Sequence, residues 1–218
     1  EALRHLKLPI EQATVAIQGF GNVGSHTALI MQQQGARVVA VSDVSGGIYN
    51  PKGLDVRELL RRYRVAGQSL QDTKLGDAIT NEELLQLNCS VLVPAALSEQ
   101  ITGRNAARLR CRVLAEGANG PTTLEADRIL DDMGVFIIPD ILANSVCVIV
   151  SYFEWVQDLQ RFFWSATDIQ QRLHDIITSA FQRTLHFATE RRTSMRMAAL
   201  MSGIDQVAQA HPQRGLYP

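Results

Sequence analysis

Residues 14–43 leave this chain little choice of fold. Thr14-Val-Ala-Ile17 is a short apolar, partly β-branched run halted by glycine, the pattern of a buried strand. Gly19, Gly21 and Gly24 follow in G-x-G-x-x-G spacing. Asn22 to Gln34 then reads as a helix, to which Val23, Ala28, Leu29 and Met31 give an apolar surface, and Arg37 to Ser42 is a second strand running into Asp43. Each part has a task in holding a dinucleotide. Gly19 allows a tight turn out of the strand, Gly21 lets backbone approach a pyrophosphate with no Cβ in the way, and Gly24 lets helix and strand pack closely. The helix N-terminus offers N–H groups and a positive dipole end to phosphate. Asp43 is placed to accept hydrogen bonds from the adenosine ribose. A lone glycine triplet is common in ordinary turns. Strand, glycines, helix, strand and acid in this order predict a small-molecule coenzyme as partner.

At 218 residues, 46% hydrophobic and with net charge −1, the chain is an ordinary globular one that favours neither nucleic acid nor membrane. Its longest apolar stretch, Val135 to Val150, is broken by Pro139-Asp140 and Asn144 and reads as no membrane span. The three cysteines form no C-x-x-C pair and the five histidines show no metal-ligand spacing, so neither a disulfide framework nor a metal is expected, and the cytoplasm is the simplest home. Lysine is scarce: Lys7, Lys52 and Lys74 are all there is. The pairs Arg61-Arg62 and Arg191-Arg192 read as solvated helix faces.

Glu1 to Leu6 has the look of the last turns of a helix, ended by Pro9. Ser45 to Gly53 is a small hairpin or loop; Asp55 caps a helix to about Arg64, with Tyr63 on its apolar side; Thr80 or Asn81 caps another. Ser90–Val93, Arg112–Ala115 and Val135–Ile138 are strands, and Thr122 with Glu125 suggests a capping box for the helix between the last two. Strands alternate with helices up to residue 139, which predicts a Rossmann-type, doubly wound, mainly parallel α/β sheet over residues 1–140. Beyond it, 141–218 reads as three helices packing on the same domain as a C-terminal extension, the second with Thr167 and Gln170 as its capping box.

Several stretches together resemble the glutamate dehydrogenase family: Ala13 to Gly24, Val41-Ser-Asp43, Gly46 to Gly53, Val93-Pro-Ala-Ala96, Ala115-Glu-Gly-Ala-Asn119, Ile138 to Asn144, Val150-Ser-Tyr-Phe-Glu-Trp155, and the Arg214-Gly-Leu-Tyr-Pro218 terminus. The resemblance spans essentially the whole chain, and Ser-Tyr-Phe-Glu-Trp points to the glutamate branch. It implies NAD-dependent oxidative deamination of L-glutamate to 2-oxoglutarate and ammonia, in a homo-oligomer of two-domain subunits with the active site between domains. This chain would be the second, coenzyme-binding domain, residues 1–12 being the end of the inter-domain helix. The first domain, with the catalytic lysine and aspartate, would lie outside it, so no catalytic residue is expected here.

Position by position, the resemblance carries the pyrophosphate turn onto Gly19, Gly21, Asn22, Val23 and Gly24, and the ribose acid onto Asp43. Ala95 and Ala96 match a strand end where backbone approaches the coenzyme. Asn119 and Asn144 match asparagines near the nicotinamide ribose and carboxamide, and Val148 and Ser151 match residues lining the substrate side-chain pocket. The charge of Asp43 favours NAD over a 2′-phosphorylated coenzyme, while neighbouring loop cations leave room for NADP. The chain departs from the family at one place: Ser145-Val146-Cys147-Val148 stands where Ala-Gly-Gly-Val is usual, and its side chains are expected to crowd the nicotinamide end. That departure keeps open an alternative, a non-catalytic dinucleotide-binding module. Plainer roles also stand beside these: Asn119 satisfying backbone in a turn, Asn144 capping a helix, Ser151 bonding back one turn. Phe153, Trp155, Phe162, Phe163 and Trp164 read as core or interface aromatics, and Glu116 and Glu154 as paired or solvated carboxylates.

Overall fold

A computed structural model describes residues 1–214, apart from the side chains of Val65 and 212–214; Gly215 to Pro218, the end of the terminal match, lie outside the described residues. The chain forms two compact units, one covering Ala2–Asp140 and the other Ile141 onward together with Glu1.

The first unit is built on seven strands: β1 Thr14–Gln18, β2 Arg37–Asp43, β3 Gly46–Tyr49, β4 Asp77–Ile79, β5 Asn88–Pro94, β6 Arg110–Ala115 and β7 Phe136–Ile138. They lie in the order β4-β3-β2-β1-β5-β6-β7. β2, β1, β5, β6 and β7 are parallel, while β3 and β4 add an antiparallel edge. The central strands are continuous hydrophobic runs because helices cover both faces, so alternation has no use there. Val15 to Ile17, Val38 to Val41 and Val91 to Val93 are all buried. The stretch expected as a hairpin or loop is β3, paired back on β2 with Asp43 opposite Gly46. β4, three residues long, has no counterpart in the sequence reading.

Helices follow the strands: α1 Ala2–His5, α2 Asn22–Gln33, α3 Val56–Leu60, α4 Asn81–Leu85 and α5 Leu124–Asp132. Asp55 caps α3 by accepting from the Glu58 amide at 3.1 Å. Thr80 and Glu83 form a reciprocal capping box on α4. α3 does not continue as an α-helix to Arg64; it widens into a π turn, Arg61–Val65. α5 is capped by Thr123, whose hydroxyl accepts from the Ala126 amide, and not by Thr122. Thr122 is instead bridged to Ile101 in extended pairing, which turns its side chain inward, where its hydroxyl has no partner among the described residues.

The second unit is helical. α6 Asp140–Ala143 crosses the boundary, followed by α7 Val146–Gln160, α8 Ala166–Arg191 and α9 Met195–Arg214. In α7, Gln157 is buried and double-bonded: its amide donates to Phe153 O, and its carbonyl accepts from the Trp164 amide at 2.7 Å. Phe153 meets Trp164 edge-on, and Arg172 lies over the same indole. Trp155, Phe162 and Phe163 are exposed. α8 starts two residues earlier than expected. Ser165 and Asp168 make the capping box and not Thr167 and Gln170, since Ser165 has the extended backbone (ψ 156°) that a cap needs.

Candidate functional site

β1 is where the strand order reverses. The chain runs from β1 through α2 to β2 on one side, then returns through β5 on the other. In an open parallel sheet a crevice opens at the carboxyl ends of strands flanking such a point. Gly19 lies at its base with φ +91°, a conformation costly for any side chain. A Cβ there would stand 2.9 Å from the Ala95 carbonyl and the Ala96 Cα. Its N–H donates to Ser42 O at 2.9 Å, and the Ala95 amide donates to Gln18 O at 2.8 Å. The Gly19 turn thus joins the ends of β1, β2 and β5 in one piece of backbone.

Gly24 is just as confined, for a different reason: a Cβ would lie 1.8 Å from Gly19 O and 3.1 Å from Ile17. Gly21 is the opposite case. It has ordinary φ (−74°) and nothing within 4 Å of a built Cβ, so only an external group could be crowded by a side chain there. Gly21 is also the N-cap of α2 and supplies no side-chain acceptor, while α3, α4, α5 and α8 all carry one. The first turn of α2 contains no acidic residue. Its donors and dipole therefore face the crevice without a local anion, a fit for an external phosphate.

Asp43 ends β2, half-buried, with Oδ1 accepting from the Ser45 amide (2.8 Å) and hydroxyl (2.6 Å). Tyr63, on the π turn, lies beside Asp43; burial first and then the Asp43 charge hold the phenol above its ordinary pKa. The Tyr63 ring packs edge-on against Phe20 at 5.4 Å. Arg64, next along, donates to Asn22 Oδ1 (3.1 Å) and to the buried Ser25 hydroxyl (2.8 Å). Val44 and Val23 are exposed apolar surfaces beside these groups.

On the other flank, the loop after β6 is tied down at Gly117 and Ala118, whose amides both donate to Pro94 O. A Cβ on Gly117 would touch Ala95 and Val23. Gly120 donates to the Asp140 carboxylate at 2.8 Å, so Asn119 is exposed on a loop held at both ends. Glu116 is fully buried and accepts from the Asp140 amide, which makes it a structural acceptor and not a solvated group. Gly19, Gly21, Asn22, Val23, Gly24, Asp43, Ala95, Ala96 and Asn119 therefore share one edge of the first unit.

Asn144, Val148 and Ser151 belong to the second unit. Asn144 stands in a bend before α7, its carbonyl accepting from the Cys147 amide; Ser145, whose hydroxyl donates to Leu142 O, is the residue at the cap position. Val148 and Ser151 are one turn apart on α7, both exposed, and Ser151 makes no back-bond to a carbonyl among the described residues. Val146 and Cys147 lie in the first turn of α7 without positive φ, so backbone conformation requires no glycine at either position. Among the described residues no cluster could hold a metal ion, and no helix is long and apolar enough to cross a membrane.

Comparison with known proteins decides the family. The sequence profile of the Glutamate/Leucine/Phenylalanine/Valine dehydrogenases matches residues 1–215. The chain belongs to this dehydrogenase family. Over all 218 residues it is 49% identical to the glutamate dehydrogenase of Thermotoga maritima, covering 52% of that protein. Over 215 residues it is 43% identical to the catabolic NAD-specific glutamate dehydrogenase of Bacillus subtilis, of which it covers 50%. Among solved structures, the hetero-hexameric glutamate dehydrogenase of Thermus thermophilus matches with a TM-score of 0.91 and 33% identity, over 100% of this chain and 51% of that one. The chain spans about half the length of the curated dehydrogenases it matches. Tyr63 and Arg64, which read in the sequence as residues of a plain helix, stand beside Asp43 and the first turn of α2.

Proposed function

We propose that this chain is the coenzyme-binding half of an NAD-dependent glutamate dehydrogenase, whose full-length form deaminates L-glutamate oxidatively to 2-oxoglutarate and ammonia. The observation that carries the reading is the glycine crevice at the reversal of strand order, open at Gly21 and closed by Asp43, in a chain 49% identical to a glutamate dehydrogenase. When bound, the nicotinamide supplies the hydride exchange. The residues of this chain bind and orient. The first turn of α2 receives the pyrophosphate, and Asp43 accepts from the adenosine ribose hydroxyls, its charge setting NAD above NADP. Ala95 and Ala96 bring backbone to the coenzyme; Asn119 and Asn144 serve its nicotinamide ribose and carboxamide. Val148 and Ser151 line the substrate side-chain pocket, the serine hydroxyl donating to the γ-carboxylate. The catalytic lysine and aspartate belong to the other half of the relatives' length, and the complete subunit assembles as a homo-oligomer.

Calorimetric titration with NADH and an absorbance assay of NADH formation from glutamate test both parts. The purified chain is expected to bind NADH without turning over glutamate. Turnover by the chain alone would refute the assignment of catalysis elsewhere, and absence of binding would refute the coenzyme site. A non-catalytic dinucleotide-binding module is the second reading, favoured by Val146 and Cys147 replacing the family's paired glycines. It predicts that joining the chain to the other half of a relative leaves NADH binding intact but gives no rate.

A further inference from the structure

Three arginines lie on or beside the π turn, and they do different things. Arg61 holds Glu58 with two hydrogen bonds of 2.7 Å. Arg62 reaches the same carboxylate at 2.7 Å and donates a second bond to Thr73 O. Their charges are spent on structure. Arg64 has no carboxylate partner among the described residues. Its Nη2 donates to Asn22 Oδ1 and Ser25 Oγ, two neutral acceptors on the first turn of α2, and its Nη1 and Nε bond to no described residue.

That placement is unfavourable as it stands. A helix N-terminus is the positive end of the dipole, and cations belong at the other end. No acidic residue in the first turn offsets the charge. A guanidinium fixed there, with free donors, makes electrostatic sense once an anion sits between it and the helix amides. Tyr63, its chain neighbour, lies beside Asp43, so two consecutive residues of the π turn reach from the ribose acid to the phosphate turn. A π turn is wider than an α turn by one residue, and here it directs Tyr63 and Arg64 to adjoining groups of one crevice.

We infer that Arg64 is a pyrophosphate-binding residue, delivering a side-chain cation to a turn that otherwise offers backbone donors. The inference rests on the coenzyme reading above. Arginine suits the task because its fork can keep two bonds to Asn22 and Ser25 while presenting other N–H groups to phosphate oxygens.

Binding of NADH, ADP-ribose, adenosine and NADPH to the parent chain, Arg64→Gln and Arg64→Lys tests this by calorimetry at two salt concentrations. Arg64→Gln is expected to weaken ADP-ribose and NADH alike, on the order of tenfold, as loss of a charge-assisted contact implies. Adenosine affinity should stay within about twofold, and the salt dependence of ADP-ribose binding should become shallower. Arg64→Lys should retain part of the affinity. Melting of the unliganded variants should match the parent, since the side chain is exposed. Equal ADP-ribose affinity in parent and Arg64→Gln overturns the inference alone. Loss confined to NADPH also overturns it, by assigning Arg64 to a 2′-phosphate. A parent chain that binds none of the four ligands overturns the coenzyme reading and this inference with it.

Discussion

Gly21 and Gly24 are three residues apart in one motif, yet alanine at the two positions should have opposite consequences. At Gly24 an added Cβ would lie 1.8 Å from the Gly19 carbonyl oxygen, where contacts shorter than 3.0 Å are essentially never seen. Roughly 1.2 Å of separation must be opened, and the obstacle is backbone on both sides. Overpacking relieved by side-chain movement costs about 1–3 kcal/mol, so the upper end, ~3 kcal/mol, applies here. In a chain of this size each kcal/mol moves Tm by roughly 2–4 °C, giving a fall of about 6–12 °C for Gly24→Ala. At Gly21 nothing lies within 4 Å and φ is ordinary. The weaker N-cap propensity of alanine is offset by the ~0.4–1 kcal/mol gained from a less flexible unfolded chain, so Tm should stay within about 2 °C. The methyl group instead stands where the coenzyme must approach, and NADH affinity should drop at least about tenfold, ~1.4 kcal/mol. Thermal melting without ligand reads the first effect, and NADH fluorescence titration reads the second. A Gly21→Ala chain that binds NADH like the parent would refute the assignment of Gly21 to the pyrophosphate. An unchanged Tm for Gly24→Ala would refute the packing argument.

Asp43→Ser should weaken NADH binding and narrow its margin over NADPH, by removing the charge that repels a 2′-phosphate; equal affinity of the parent for both coenzymes would contradict the role of Asp43. Ellman's reagent should label one thiol of the native chain, Cys147, and all three after unfolding, because Cys89 and Cys111 are buried across β5 and β6. Burial pushes both thiols from about 9 to about 12, a raised folded-state value, so their contribution is complete below pH 9 and is lost as pH climbs toward 12. Melting curves should fall over that range, less steeply in Cys89→Ala. Hydrogen bonds from Arg61 and then Arg62 hold Glu58 at about 2, a depressed value. The stabilisation is present above 4.5 and lost as pH falls toward 2. The stability gap between the parent and Glu58→Gln, small because the pair is solvent-screened, should close over that interval; a gap that does not depend on pH would refute the ion-pair account.

The parallel sheet was legible because its central strands must be apolar on both faces, and Val38 to Val41 can be little else. Capping was legible in kind but not in position. Thr122 and Thr123 both precede a helix, and Ser165 and Thr167 each have an acceptor or amide three residues on. Backbone conformation decides between them: Ser165 is extended, and Thr122 is drawn into pairing with Ile101. The π turn had no signature, because Arg61–Val65 has ordinary helix composition. For the same reason Tyr63 read as core and Arg64 as a helix end. Strand β4 is three residues of mixed polarity at a sheet edge, too short to make a pattern.

The central place of β1 also has a bearing on the order in which the chain can mature as it leaves the ribosome. Its first neighbour, β2, follows within a few residues of α2, but its second, β5, pairs across a long gap: Thr14 bonds Ser90, 76 residues later. At synthesis rates of about 5–20 residues per second that interval lasts roughly 4–15 s. During it, one side of the β1 backbone and the underside of the Gly19 turn have no strand against them, since Ala95 has yet to be made. Any nascent chain that ends before about Ala95 therefore carries the fingerprint glycines without the wall that shapes them. Coenzyme could help the fold along only after β5 has emerged.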